Sequence, residues 1–216
     1  MKYYQEITLI DGDKSLYQLW SDLYTQLHIA LVELKNTHGL ENVGVSFPNY
    51  KYEQKENGKE FSFLGNKLRI FSDIKETLEL LDINTKVLEL NQRQDYEDNA
   101  DDYFHTKSVR LVPENVDSYL VVSRYRHTPL NKQVANYLAH SKQQGREVSE
   151  SEAIEHCKQH KQSGRKNYPF INLKSIDNGQ NFKLSIKQTL VDEASIGSFN
   201  TYGLNTNQTS VTVPHW

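Results

Sequence analysis

Cysteine is all but missing from this chain of 216 residues. Cys157 stands alone, which excludes an internal disulfide and any cluster of thiolates around a metal. No apolar run is long enough to cross a bilayer. The opening MKYYQEITLIDGD carries charge and alternation where a signal peptide would be continuously apolar, so a cytoplasmic protein with no membrane partner is expected. No glycine loop of the phosphate-cradling kind is present, which argues against a nucleotide-driven enzyme. An excess of positive charge is lacking too: the formal charge is −3, which argues against indiscriminate binding of nucleic acid through overall basicity. His156 and His160 have the i, i+4 spacing of helical metal ligands, but no glutamate follows His156 directly and no third ligand is apparent. No metal and no small-molecule cofactor is therefore expected.

What the chain does have is an uneven distribution of charge. Residues 95–102 (DYEDNADD) form an acidic block, whereas Arg124, Arg126, Lys132, Lys142, Arg146, Lys158, Lys161, Arg165 and Lys166 gather in one stretch. A modest net charge over a basic half suits a protein that takes one RNA at one face. The apolar fraction of 37% is adequate for a core, and the length allows one large domain or two small ones.

Alternation around Tyr4, Ile7 and Leu9 predicts a strand over Tyr3 to Ile10, ended by Asp11-Gly12-Asp13. Leu16, Trp20, Leu23, Leu27, Ala30, Leu31 and Leu34 recur at helical spacing and predict an amphipathic helix from Ser15 to about Asn36, stopped by Gly39. Val43 to Phe47, closed by Pro48, and Lys67 to Phe71 read as strands, and Ser72-Asp73 as the cap of a helix through Leu81. A further strand, either His105 to Val112 or Ser118 to Tyr125, would complete a ferredoxin-like β-α-β unit, the usual framework of RNA-recognition modules. Residues 84–103 read as a variable insertion with helix or strand character around Val87 to Leu90. Polar helices over Asn131 to Ser141 and Ser151 to His160 precede two final strands about an Asp177-Asn178-Gly179 turn. The expected architecture is α+β, with a ferredoxin-like domain over residues 1–113 and an RNA-binding lobe of polar helices and a β-hairpin over 114–216.

Three side chains carry candidate chemistry. His28 falls one position beyond the apolar stripe of the first helix, at the border of core and solvent, which suits packing as well as acid–base work. Ser175 ends the strand Phe170 to Lys174 just before the turn, a place where serines also cap. Tyr202 lies in Thr201-Tyr202-Gly203-Leu204, beside a glycine that lets other groups approach closely.

The segments QLHIALV, NVGVSFP, YPFINLKSIDNGQNFKLSI and SFNTYGL together resemble the CRISPR repeat-cleaving endoribonucleases of type I-F systems, most strongly over residues 3–48 and 168–204. The resemblance implies that His28 is the base, Ser175 positions the sugar and Tyr202 orients the histidine. An attack by the RNA's own 2′-hydroxyl on the adjacent phosphate, giving a 2′,3′-cyclic phosphate and a 5′-hydroxyl end, needs neither metal nor water nucleophile. The resemblance also implies that Arg124 reads guanine, as a guanidinium does through O6 and N7. Phe182 matches an aromatic that stacks on the closing base pair, and by residue type is equally an inward strand phenylalanine. Two departures stand out. Arg126 replaces the expected amide, and the helix from Asn131 to His140, arginine-rich in relatives of this kind, has Lys132 as its single formal cation. Lys132, Lys142 and Arg146 are candidates for phosphate contact, or else belong to a solvated helix face. The partners implied are a repeat hairpin RNA and the other subunits of a type I-F Cascade effector complex. A non-catalytic hairpin-binding subunit is the alternative, and only the enzyme requires His28.

Overall fold

The computed structural model describes residues 1–92, 103–126, 128–164, 166–175, 178–206 and 210–216, and of 160–164 the backbone. The acidic block, Arg165 and Asp177 therefore lie outside the described residues. Two compact units form: Met1–Tyr125 with Tyr168–Trp216, and Arg126–Asn167.

The larger unit is organised by one long helix. In α1 (Leu16–His38) the residues Leu19, Trp20, Leu23, Tyr24, Leu27, Ala30, Leu31 and Leu34 are buried, recurring with the helical period, so one stripe faces the core. The Ser15 N–H donates to the Gln18 side chain at 3.0 Å, relieving one orphan donor at the helix start, and Gly39 at φ 68° ends the helix in the left-handed region. The first sheet has the order β2 (Gly44–Ser46), β5 (Lys67–Ser72), β1 (Tyr3–Leu9), β6 (Phe104–Thr106), with β7 (Arg110–Leu111) also on β1 and every pairing antiparallel. The second has the order β11 (Val213–His215), β8 (Ser118–Tyr125), β10 (Asn181–Val191), β9 (Phe170–Lys174), again all antiparallel. Leu120, Val122, Ile171, Leu173, Leu184 and Ile186 of this sheet belong to the same apolar cluster as the α1 stripe. Gln188 of β10 accepts the Phe47 N–H at 2.8 Å and donates to the Phe47 carbonyl, tying the segment after β2 to the second sheet.

Several expectations change. Of the two candidates for the further strand, Ser118–Tyr125 joins the second sheet, while the segment His105 to Val112 supplies most of β6 and all of β7, both paired with β1. Ser72 is the last residue of β5, paired with Tyr3, so it does not cap the helix; α2 (Lys75–Leu81) follows Ile74, whose N–H the Ser72 hydroxyl accepts at 3.3 Å. The segment around Val87 is helical, α3 (Ile83–Asn91), with Ile83, Val87 and Leu90 buried. A hairpin of β3 (Lys51–Gln54) and β4 (Glu60–Phe63) adds to these, turning at Gly58 (φ 75°) in an Asn57-Gly58 pair, a hairpin signal that was not read from the sequence. The compact units divide after residues 125 and 167, and the second sheet falls in the larger one because it buries its apolar face in the α1 core.

The smaller unit is a helical pair, α4 (Leu130–Gln143) and α5 (Glu150–Gly164), joined through a turn at Gly145 (φ 71°) and closed by a small apolar cluster of Val134, Ala153 and Cys157. A capping box starts α5: Ser149 N–H donates to Glu152 at 2.9 Å and the Ser149 hydroxyl accepts the Glu152 N–H at 3.3 Å. No helix among the described residues is long and apolar enough to cross a membrane.

Candidate active site

Three stretches far apart in sequence line one concavity of about 290 Å3. Helix α1 contributes Thr25, His28 and Val32, the end of β9 contributes Leu173, Lys174 and Ser175, and Phe182 and Tyr202 complete the wall. His28, Ser175 and Tyr202 are thus brought together, each half-buried.

The orientation of His28 follows from its neighbours. Its Nδ1 lies 2.7 Å from the Thr201 carbonyl oxygen. A carbonyl only accepts, so Nδ1 carries a proton, and in the neutral ring Nε2 is left with the lone pair. The Tyr202 ring stacks on the imidazole, centroids 4.0 Å apart and planes 6° from parallel, which restricts rotation of the ring. A neutral histidine pinned at one nitrogen and clamped on one face is a proton acceptor of fixed direction.

The loop that supplies both restraints is itself held by side chains. The Asn200 Oδ1 accepts the Tyr202 N–H at 2.8 Å and the Leu204 N–H at 3.3 Å, and the Asn200 N–H donates to the Leu204 carbonyl at 2.9 Å. The Tyr24 hydroxyl, one helical turn before His28, donates to the Tyr202 carbonyl at 2.8 Å. Burial, with a smaller contribution from Tyr202, pushes the Tyr24 phenol well above the ordinary tyrosine range, so it remains a donor. Gly203 has φ +69°, and a Cβ there would meet Val45 Cγ1 at 2.7 Å. The glycine in the YGL segment is therefore required by backbone shape and by the close approach of β2, whose Val45 N–H donates to the Gly203 carbonyl at 3.1 Å. Asn200, Thr201 and Tyr24 were not read from the sequence. The Asn-x-x-Gly spacing is a turn signal, and Tyr24 is four residues before His28 on a helix, so both signals were available.

Ser175 closes the β9–β10 hairpin: its N–H donates to the Gln180 carbonyl at 2.8 Å and its carbonyl accepts the Gly179 N–H at 2.9 Å, with Gly179 at φ +68°. Phe182, opposite Leu173, packs on the main core while lining the cavity. Arg124 continues the core face of β8 opposite Ile186, and its guanidinium lies 5.2 Å from the Phe182 ring centroid. Arg126, Lys132, Lys142 and Arg146 are exposed on the smaller unit. In that unit His156 is stacked against Tyr137 at 4.2 Å. Among the described residues no three His, Cys, Asp or Glu side chains gather where they could hold a metal ion.

The family model described as "CRISPR-associated protein (Cas_Csy4)" matches residues 4–216. A curated relative from Escherichia coli (strain UTI89 / UPEC), "CRISPR-associated endonuclease Cas6/Csy4", is 28% identical over 211 residues, covering 97% of this chain and 98% of the relative. Among solved structures, "An RAMP protein binding different RNA substrates" aligns at 9% identity with a TM-score of 0.34, covering 99% of both chains. "CRISPR associated protein Cas6" aligns at 13% identity with a TM-score of 0.32, covering 99% of this chain and 98% of the other.

Proposed function

We propose that this chain, which belongs to the Cas_Csy4 family of CRISPR-associated proteins, is an endoribonuclease that binds a CRISPR repeat hairpin, cuts the precursor transcript at the 3′ foot of the stem, and stays bound to the mature crRNA within a type I-F effector complex in the cytoplasm. The observation that carries the reading is the state of His28: Nδ1 donating to the Thr201 carbonyl and the ring clamped by Tyr202, in one cavity with Ser175.

The reaction follows from that arrangement. Nε2 of neutral His28 takes the proton of the 2′-hydroxyl, and the resulting oxygen attacks the adjacent phosphorus. The bond to the 5′-oxygen of the next nucleotide breaks, leaving a 2′,3′-cyclic phosphate, and the departing oxygen becomes a 5′-hydroxyl on gaining a proton. Ser175 holds the sugar in line, the kind of positioning that removes several kcal/mol from a barrier. The nucleophile belongs to the substrate, so the protein has no need of a metal to make one. Arg124 reads guanine at the stem foot and Phe182 stacks on the closing pair, while Arg126, Lys132, Lys142 and Arg146 contact phosphates. The recognition role falls to the chain after Pro113, and the β2-β5-β1-β6 order with its antiparallel pairings supports a ferredoxin-like framework before it. Incubation with the repeat RNA of its own host, in chelator, tests the reading: cleavage persists, and a 2′-deoxy nucleotide at the cut abolishes it. A deoxy substrate that is still cut requires attack by water and overturns the mechanism.

A further inference from the structure

A second concavity, of about 280 Å3, runs along the same helix and strand and has no part in the proposed reaction. Tyr17 and Trp20 of α1, Phe63 of β4 and Phe170 of β9 line it, with Asp11 and Ser62 as polar groups at its wall. Tyr17 is 62% exposed and Phe63 41%, so large aromatic faces meet solvent there; the Tyr17 and Phe170 rings are 6.1 Å apart.

The two concavities lie along one helix–strand contact, or seam. Helix α1 packs along β9, and the Ser21 hydroxyl donates to the Asn172 carbonyl at 2.6 Å midway. Tyr17 precedes His28 by eleven positions on α1, about 16 Å at ~1.5 Å per residue. Phe170 precedes Ser175 by five positions along β9, about 17 Å at ~3.3 Å per residue. Cations mark both ends: exposed Lys174 lines the cavity at His28, and the Lys183 ammonium lies 4.1 Å from the Phe170 ring centroid.

We propose that this seam holds the single-stranded RNA 3′ of the scissile phosphate, its bases stacked on Tyr17, Phe63 and Phe170 and its phosphates facing Lys174 and Lys183. The inference rests on the endoribonuclease reading. That reading gives the hairpin, which lies 5′ of the cut, to Arg124 and Phe182; the strand leaving the other side of the cut is unpaired, and the seam leads away from Phe182 and the Ser175–Gln180 turn. Exposed aromatic faces flanked by lysines, on the same helix and strand as the site of attack, match the stacking-plus-cation chemistry of sequence-tolerant single-strand binding. The precursor has this flank and the hairpin product does not, so the groove favours substrate over retained product.

The test compares repeat hairpins carrying one nucleotide, or about eight, a length within the range of known single-strand sites, beyond the cut. Single-turnover kcat/KM is measured with the full chain, and Kd with the same RNAs made non-cleavable by a 2′-deoxy nucleotide. The longer RNA is preferred about five- to a hundredfold, the usual worth of stacked bases, and the ratio falls towards one in Tyr17→Ala and in Phe63→Ala. A ratio near one in the unaltered protein, with both RNAs cut, overturns the groove assignment and leaves the ribonuclease reading standing; a groove that holds a protein segment gives the same result. A preference that survives both substitutions puts the flank elsewhere. If neither RNA is cut, the enzyme reading falls, and the Kd ratio still decides the groove.

Discussion

Replacing Gly203 by alanine tests the link between a backbone turn and the chemistry at His28. The added Cβ meets Val45 Cγ1 at 2.7 Å and Cγ2 at 3.4 Å, in a residue held at φ +69°. The left-handed conformation costs a residue with a side chain about 1–2 kcal/mol. Crowding against Val45, a fully buried side chain, adds about 1–3 kcal/mol. The combined loss, about 2–5 kcal/mol, lowers Tm by ~2–4 °C per kcal/mol for a chain of this length. Relief is available only by shifting the loop, and the loop carries the Thr201 carbonyl that fixes Nδ1 and the Tyr202 ring that stacks on the imidazole. A displacement of ~1 Å at such a support costs about a hundredfold in rate. Single-turnover cleavage below the lowered Tm therefore falls about a hundredfold, while hairpin Kd, which depends on Arg124 and Phe182 under the proposed reading, changes little. A variant that loses the expected stability yet cleaves at the normal rate refutes the idea that the 200–204 loop sets the histidine.

His28→Ala keeps hairpin affinity in a filter-binding assay while cleavage falls about a hundred- to ten-thousandfold; unchanged cleavage removes His28 from the mechanism, and joint loss of binding gives it a structural role. Arg124→Ala costs about 1–3 kcal/mol on the native hairpin and relaxes the guanine preference at the stem foot, whereas neutralising Lys132, Lys142 or Arg146 weakens all hairpins alike and lowers the salt slope by about one. Titrations at several salt concentrations on native and inverted stem-foot pairs check this, and a reversed pattern makes the polar helix the reading element. Glu6, with a side chain 5% exposed, is subject to burial that pushes its pKa up, yet hydrogen bonds from Lys107 and Arg69 and the charges of Arg69 and Lys67 outweigh burial and hold it at about 2. Its contribution to stability is thus fully present above the ordinary carboxylate value of 4.5 and is lost as pH falls towards 2; denaturant melts of Glu6→Gln show a shallower acid limb, and an acid limb identical to that of the unaltered protein sinks the assignment.

By itself the sequence determined what depends on neighbours a few residues apart. The α1 stripe, its stop at Gly39, the border position of His28 and the β9–β10 turn are all local, since helical period, αL glycine and turn chemistry act within a few positions. The segments around His28, Ser175 and Tyr202 were enough to suggest the family to which the chain belongs. Tertiary structure alone decided the rest. Which of two strands would join β1 was open, because both alternate and only packing against α1 and the second sheet separates them. The hydrogen bond that fixes the tautomer of His28 comes from a backbone carbonyl 173 residues away, and every residue has such a carbonyl, so no pattern of side chains marks the one that will be used. The aromatic groove has the same origin. Tyr17, Phe63 and Phe170 are ordinary residues in three separate segments, and they become a surface only when the core closes beneath them and leaves their faces in water.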